Sequence, residues 1–272
     1  MLIKSPKELN EIEEGGKRLA EVLRELGEFC RVGMSTFEVD QKAEELILKQ
    51  GGVPAFKGYT TGPQDPPFPA TICASLNDEL VHGIPDRNRI LKDGDIFSID
   101  IGMRWPGPVP RGVQGKGKGL FTDTALTVTF GKVSKEVEKL LSVTRESLER
   151  GIAAAQPGRS IAGIGRAVED YVKSQGRYGI VRDLVGHGVG HAVHEDPQVP
   201  NYYDKKLETQ ILRPGMVIAI EPMIALGDWH VISSDDGWTI KMADGSICAH
   251  FEHTVIITET GNVVVTRRVG ER

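Results

Sequence analysis

Residues 185–197, VGHGVGHAVHEDP, place His187, His191 and His194 within eight positions, interleaved with Gly186, Gly188 and Gly190. Such a stretch suits a metal site, a phosphate-binding loop or a polar turn. A phosphate loop needs a glycine turn that runs into a good helix, with a lysine or a ribose-binding acid. Here the glycines continue into HAVHEDP and no convincing helix follows. A zincin-type helix needs a Glu directly after the first His, and Gly188 and Gly190 disfavour a helix in any case. His187 and His194 are seven residues apart. On an unbroken strand they would face opposite sides; a strand bent at its glycines turns both toward one cleft.

Four acids lie where carboxylates are costly. Asp100 ends the apolar run DIFSI, and Glu221 ends MVIAI. An ionised carboxylate at such a place loses several kcal/mol unless a cation or hydrogen bonds compensate. The alternative is an acid at a strand end exposed to water. Asp123, in FTDTA, is the only Asp between 101 and 169, and a hairpin between neighbouring strands would return it beside Asp100. Glu252, in AHFEHTVIIT, pairs with a metal, with His250 or His253, or with water. Two Asp, two Glu and one or two His make a ligand set for two divalent ions. Four carboxylates balance two double charges and leave room for a bridging hydroxide. Such a pair lowers the pKa of bound water to ~7 and polarises a carbonyl.

These residues need elements to hold them. Apolar spacing predicts helices over 7–30, from Ser35 to Gly51, and over roughly 134–155 and 160–175. Ser35 and Glu38 have the spacing of a capping box, and Gly51-Gly52 is a helix stop. Strands are expected near 70–76, 95–102 and 121–130, with mostly β structure through 269. The chain also resembles itself. GMSTFEVDQKAEELILKQG (33–51) aligns without gaps on GRSIAGIGRAVEDYVKSQG (158–176), an offset of 125. LKDGDIFSID (91–100) aligns on LRPGMVIAIE (212–221), an offset of 121. A duplicated helix-then-strand unit, with repeats over about 7–130 and 134–269, makes Asp100 and Glu221 equivalent across a pseudo-twofold axis.

The bulk properties narrow the class. A chain of 272 residues accommodates a single catalytic domain over 1–272. Its net charge of −5 gives no global basic field for DNA or anionic membrane. No apolar run reaches the ~18 residues of a membrane span, and the start has no signal-peptide core. Cys30, Cys73 and Cys248 are scattered, which argues against a disulfide framework and points to a reducing, cytoplasmic setting. A monomer is the default.

VHGIP (81–85), GDIFSIDIG (94–102), GHGVGHAVHEDPQV (186–199), GMVIAIEPM (215–223) and FEHTVIIT (251–258) resemble the type I methionine aminopeptidases. So do IKSPKELNEIEEGGKRLAEVL near the start and DGWTIKMADGSICAHFEHT (236–254), so the resemblance spans nearly the whole chain. It implies an α+β pita-bread fold: a curved antiparallel sheet flanked by helices, with an internal pseudo-twofold. It also implies removal of the initiator methionine from nascent proteins whose second residue is small. By position, Asp100, Asp123, His187, Glu221 and Glu252 would hold two divalent ions (Co, Mn, Fe or Zn), with Asp123 and Glu252 bridging. A bridging hydroxide would attack the first peptide carbonyl while a metal and His194 stabilise the oxyanion. The free α-amino group would bind near the second metal, and Glu221 would carry the proton to the leaving amine. His82 would contact substrate with His194. Tyr59, Phe68, Cys73 and Trp238 would line the methionine pocket, a setting suited to a thioether.

Three features depart from the family pattern. Asp100 and Asp123 are 23 residues apart, and the extra residues fall in a glycine- and proline-rich loop, 103–119, with four Lys or Arg and no acid. That loop is either a solvated tip or a transient contact for ribosomal RNA or another acidic partner. Val193 stands where relatives often have an aromatic residue, which implies a wider pocket. His191 occupies a variable position and is read as a neighbour of the site, not a ligand. Competing functions are a proline-specific aminopeptidase of the same fold, a catalytically dead binding homologue and an unrelated two-metal phosphoesterase.

Overall fold

The computed structural model describes residues 3–62, 66–107 and 119–271. Helix α1 spans Pro6–Phe29. Ser5 accepts from Glu8 N while the Glu8 carboxylate accepts from Ser5 N, so two free donors of the first turn are satisfied reciprocally. Ser35 and Glu38 do the same for α2, Thr36–Lys49, as their spacing predicts. Helix α3 (Lys135–Ala154) starts at Ser134, whose hydroxyl accepts from Val137 N. Helix α4 covers Ile161–Gln175.

The main sheet is antiparallel throughout. Its path runs through Val53–Pro54, Ile96–Trp105, Leu120–Thr129, Glu252–Ile257, Val217–Ile220, Gly186–Gly188 and Glu195–Val199. Ile72–Leu76 pairs with Ile96–Trp105, and Asn262–Val264 pairs with Glu252–Ile257. Strand alternation divides its two faces. Phe97, Ile99, Ile101, Met103 and Leu126 enter the main hydrophobic core with Leu19, Leu23 and Leu26 of α1 and Leu140, Leu148 and Ile152 of α3. Ser98, Asp100, Asp123, Ala125 and Thr127 face the other way.

The same backbone pairs recur in both halves of the chain. Gly33 N donates to Leu91 O and Gly158 N to Leu212 O; Thr36 N donates to Arg89 O and Ile161 N to Gln210 O. Bridges join Ser35 to Ile90 and Ser160 to Ile211. Gly94 and Gly215 carry nearly equal positive φ angles, +88° and +86°, at the turns that lead into the two central strands. In that left-handed region only glycine avoids a Cβ clash.

The long hairpin between Ile96–Trp105 and Leu120–Thr129 is in register from Ile96↔Thr129 to Trp105↔Leu120. Its stem is anchored: Trp105 stacks under the Arg18 guanidinium, 4.9 Å from the ring centre, and Gly107 N donates to Gly51 O. Residues 108–118, the greater part of the basic loop, lie outside the described residues.

Candidate active site

Register alone lines up the acids. Ala125 lies opposite Asp100 on one side and Glu252 on the other. Asp123, two residues before Ala125, shares that face. His253 pairs with Ile220, so carrying the register one residue past the strand end puts Glu221 beside Glu252. Gly188 pairs with Ile218, which turns His187 to the same face as Glu221. The five residues singled out as metal ligands thus come from adjacent strands onto one face. Asp123, His187 and Glu252 each bring a ligand atom within 4.8 Å of the other two. Glu221 Oε1 stands 3.5 Å from His187 Nε2.

Neighbouring hydroxyls hold these ligands still. Thr254 Oγ1 donates to Asp123 O at 2.7 Å and accepts from Asp123 N at 2.9 Å. Thr124 Oγ1 donates to Glu252 O at 2.8 Å. His187 Nδ1 lies 2.9 Å from the Gly188 carbonyl, which only accepts, so Nδ1 carries the proton and Nε2 offers its lone pair to the cleft.

A cation fits this site on the evidence of the protein atoms. Asp100 Oδ1 and Glu252 Oε1 are buried without a hydrogen-bond partner among the described residues. No Lys or Arg is among the described residues that line the cleft. Buried carboxylates without a compensating charge hold protons instead. Burial, then the charge of Glu221, pushes Asp100 up to about 7, and burial pushes Glu221 up to about 8. Asp123 and Glu252 are raised well above the carboxylate range by burial and by the other acids. A divalent ion must displace those protons.

A pH dependence follows. Unfolded carboxylates titrate near ~4, whereas the folded ones keep protons toward 7 and 8, so the metal-free native state binds more protons between those limits. That makes metal-free stability fall as pH rises. His82, His187 and His250, lowered by burial to about 4, 3 and 3, act oppositely, but only below about 6.5. From pH 7 to 8.5 the metal-free Tm should therefore drop, the Mn2+-loaded Tm should hold, and Mn2+ affinity should rise. Calorimetric titration in buffers of different ionisation heat should show proton release on binding. A pH-independent gap between the two Tm values would contradict this.

The histidine segment differs from the expected bent strand. Gly186–Gly188 and Glu195–Val199 are two antiparallel strands joined by a turn, with Gly188 opposite Glu195. The glycines matter through close packing: a Cβ at Gly186 would collide with Ala219 O, and one at Gly188 with Asp196 O. His187 thus lies within one short strand and His194 directly precedes the next, with ring centres 4.4 Å apart. His191 points away and bonds Glu8 at 2.8 Å.

The candidate substrate and catalytic residues Tyr59, Phe68, Cys73, His82, His194 and Trp238 all line the same cleft of about 520 Å³. Tyr59, Phe68, Cys73 and Trp238 cluster with Phe56, Ala70 and Val193 at one end. Cys73 pairs in register with Asp100, which ties that apolar end to the acids. His82 sits at φ +58°, a backbone conformation costly for a non-glycine residue. Two contacts are not foretold by the sequence, Tyr59 with His194 and His250 with Glu221. Tyr59 Oη lies 2.7 Å from His194 Nδ1. His250 is 1% exposed and 3.5 Å from Glu221 Oε2; its place two residues before Glu252 was the only signal available.

This geometry has known counterparts. The profile of metallopeptidase family M24 matches residues 10–259. The chain belongs to that family. It is 45% identical over 267 residues to methionine aminopeptidase 1 of Bacillus subtilis, covering 98% of this chain and 99% of the relative. A methionine aminopeptidase structure from Thermotoga maritima superposes with a TM-score of 0.87 at 39% identity, over 98% of this chain and 100% of that one. Within family M24 the chain thus falls with the type I methionine aminopeptidases. The prolidase of Pyrococcus furiosus shares the fold at 23% identity (TM-score 0.71), this chain covering 66% of its length. The fold is the α+β pita-bread architecture.

Proposed function

We propose that the chain removes the N-terminal methionine from nascent polypeptides whose second residue is small. The observation that carries the reading is a row of buried carboxylates, with no Lys or Arg among the described residues of the cleft, continuous with an apolar pocket. Residues 7–130 and 134–269 are read as two halves of one catalytic unit. Asp100, Asp123, His187, Glu221 and Glu252 would hold two divalent ions. One imidazole among carboxylates suits Mn, Fe, Co or Zn. Such ions supply Lewis acidity and an activated water at neutral pH.

The chain's own groups do the rest. Tyr59, Phe68, Cys73 and Trp238 take the methionine side chain, whose thioether suits aromatic edges and a thiol. The free α-amino group would sit at the pocket's inner end, beside the acids that would hold the ions, which restricts cleavage to chain ends. Tyr59 Oη is 2.7 Å from His194 Nδ1; with the hydroxyl as donor, Nε2 would keep its proton and face the negative charge that grows on the scissile carbonyl oxygen. Glu221 passes a proton to the leaving amine. His82, held in its unusual backbone conformation, contacts the substrate backbone.

Stripping metal with a chelator should silence the chain, and Mn2+ or Co2+ should restore release of methionine from Met-Ala-Ser but not from Met-Leu-Ser. Activity that survives chelation would contradict the reading. Tyr59→Phe keeps the ring and loses the hydroxyl. It should lower kcat by about tenfold while KM stays within about twofold; a rise in KM alone would reduce Tyr59 to a pocket wall.

Nascent chains are the substrate and a monomer in the cytoplasm is the working form on this reading. The basic stretch 103–119, whose residues 103–105 belong to the strand Ile96–Trp105 and not to a loop, is proposed as a transient ribosome contact, since its basic charge opposes the net charge of −5. Deleting residues 108–118 should weaken co-sedimentation with ribosomes at low salt; unchanged binding would remove that role. The proline-specific alternative has only the shared fold behind it.

A further inference from the structure

The segment IKSP near the chain start has no part in the chemistry above, yet it reaches the catalytic turn. Lys4 is buried, its side chain 1% exposed, and its ammonium lies 2.6 Å from Glu195 Oε2. Glu195 directly follows His194, and its side chain is 5% exposed. Its other oxygen, Oε1, accepts from the backbone N–H groups of His191 and Ala192. One carboxylate thus closes the turn that delivers His194 and takes its countercharge from a residue 191 positions away.

The lysine runs through space that only glycine leaves open: a Cβ at Gly190 would sit 2.6 Å from Lys4 Cε. Lys4 is itself fixed by its backbone N–H, which donates to Gly215 O at 2.8 Å. Beside it, Glu8 accepts from His191 Nε2 at 2.8 Å while it closes the Ser5 capping box. A buried ion pair is a poor source of net stability, because desolvation offsets most of the attraction. What it supplies here is direction. The ammonium aims one oxygen of Glu195 so that the other meets two N–H groups of the turn.

We propose that Lys4 is a positioning residue for His194, acting through Glu195. The inference rests on the catalytic reading of His194 given above. The test is a cycle of Lys4→Met and His194→Ala, each alone and together, with Lys4→Arg as the conservative variant. Lys4→Met should lower kcat on Met-Ala-Ser by about tenfold to a hundredfold, the scale of a misplaced reacting group. KM and the Mn2+ dissociation constant should stay within about twofold, and Lys4→Arg should recover much of the loss. In the His194→Ala background, Lys4→Met should change kcat by less than about twofold. Equal losses in both backgrounds, or no loss in either, would overturn the inference.

Should Lys4→Met not fold, Glu195→Gln carries the same comparison with the same two outcomes. Imidazole 15N NMR reads the geometry without catalysis. The His194 ring resonances should shift and broaden in the variant while those of His82 and His250 stay in place. Unmoved His194 resonances would overturn the inference even in a chain that cleaves Met-Ala-Ser. Failure of the unsubstituted, metal-loaded chain to cleave that peptide would instead count against the functional reading.

Discussion

Replacing Asp123 by Asn is expected to lower kcat/KM on Met-Ala-Ser by about a thousandfold, about 4 kcal/mol of transition-state stabilisation. Asp123 is 3% exposed and has a ligand atom within 4.8 Å of those of His187 and Glu252. Its backbone is locked from both sides by Thr254 Oγ1, so the neutral amide cannot be replaced by a shift of the chain. The same substitution should stabilise the metal-free protein. It removes one of a group of acids that raise each other's pKa. Relief of about 1 kcal/mol corresponds to about 2–4 °C in Tm for a chain of this size class. A dead enzyme with a higher metal-free Tm is the signature of a charge cluster built for a cation. Retained activity, or a metal-free Tm that falls, would contradict the assignment.

His194→Ala separates chemistry from metal binding. The ring meets Tyr59 at Nδ1 and lies beside His187 without joining the group formed with Asp123 and Glu252. Loss of a group that stabilises developing oxyanion charge lowers kcat by about 10²–10³. The affinity for Mn2+ should change by no more than a few-fold, because no proposed ligand is altered. Titration of metal into the variant alongside steady-state kinetics checks both. A large loss of metal affinity would make His194 a ligand; an unchanged kcat would remove it from the mechanism.

The acids were legible because strand periodicity is local. Asp100 and Glu221 each end an apolar run, and Asp123 was the only Asp able to return on a hairpin. The observed register, Asp100 opposite Ala125 and Ala125 opposite Glu252, is what alternation needs to bring them together. The histidine segment was only half legible. Its glycines promised a bend, but their real constraint is close contact with Ala219 and Asp196 carbonyls on neighbouring strands. The Lys4–Glu195 pair and the Tyr59–His194 bond were illegible for the same reason. Each joins residues more than a hundred positions apart, and no local pattern announces its partner. His191, set aside as a neighbour in the sequence, is outside the Asp123–His187–Glu252 group and bonds Glu8.

The most direct measurement gives the Mn2+-loaded chain Met-Ala-Ser and an X-Pro peptide side by side. The account predicts rapid release of methionine from the first and no cleavage of the second. Cleavage of the X-Pro peptide alone would contradict it.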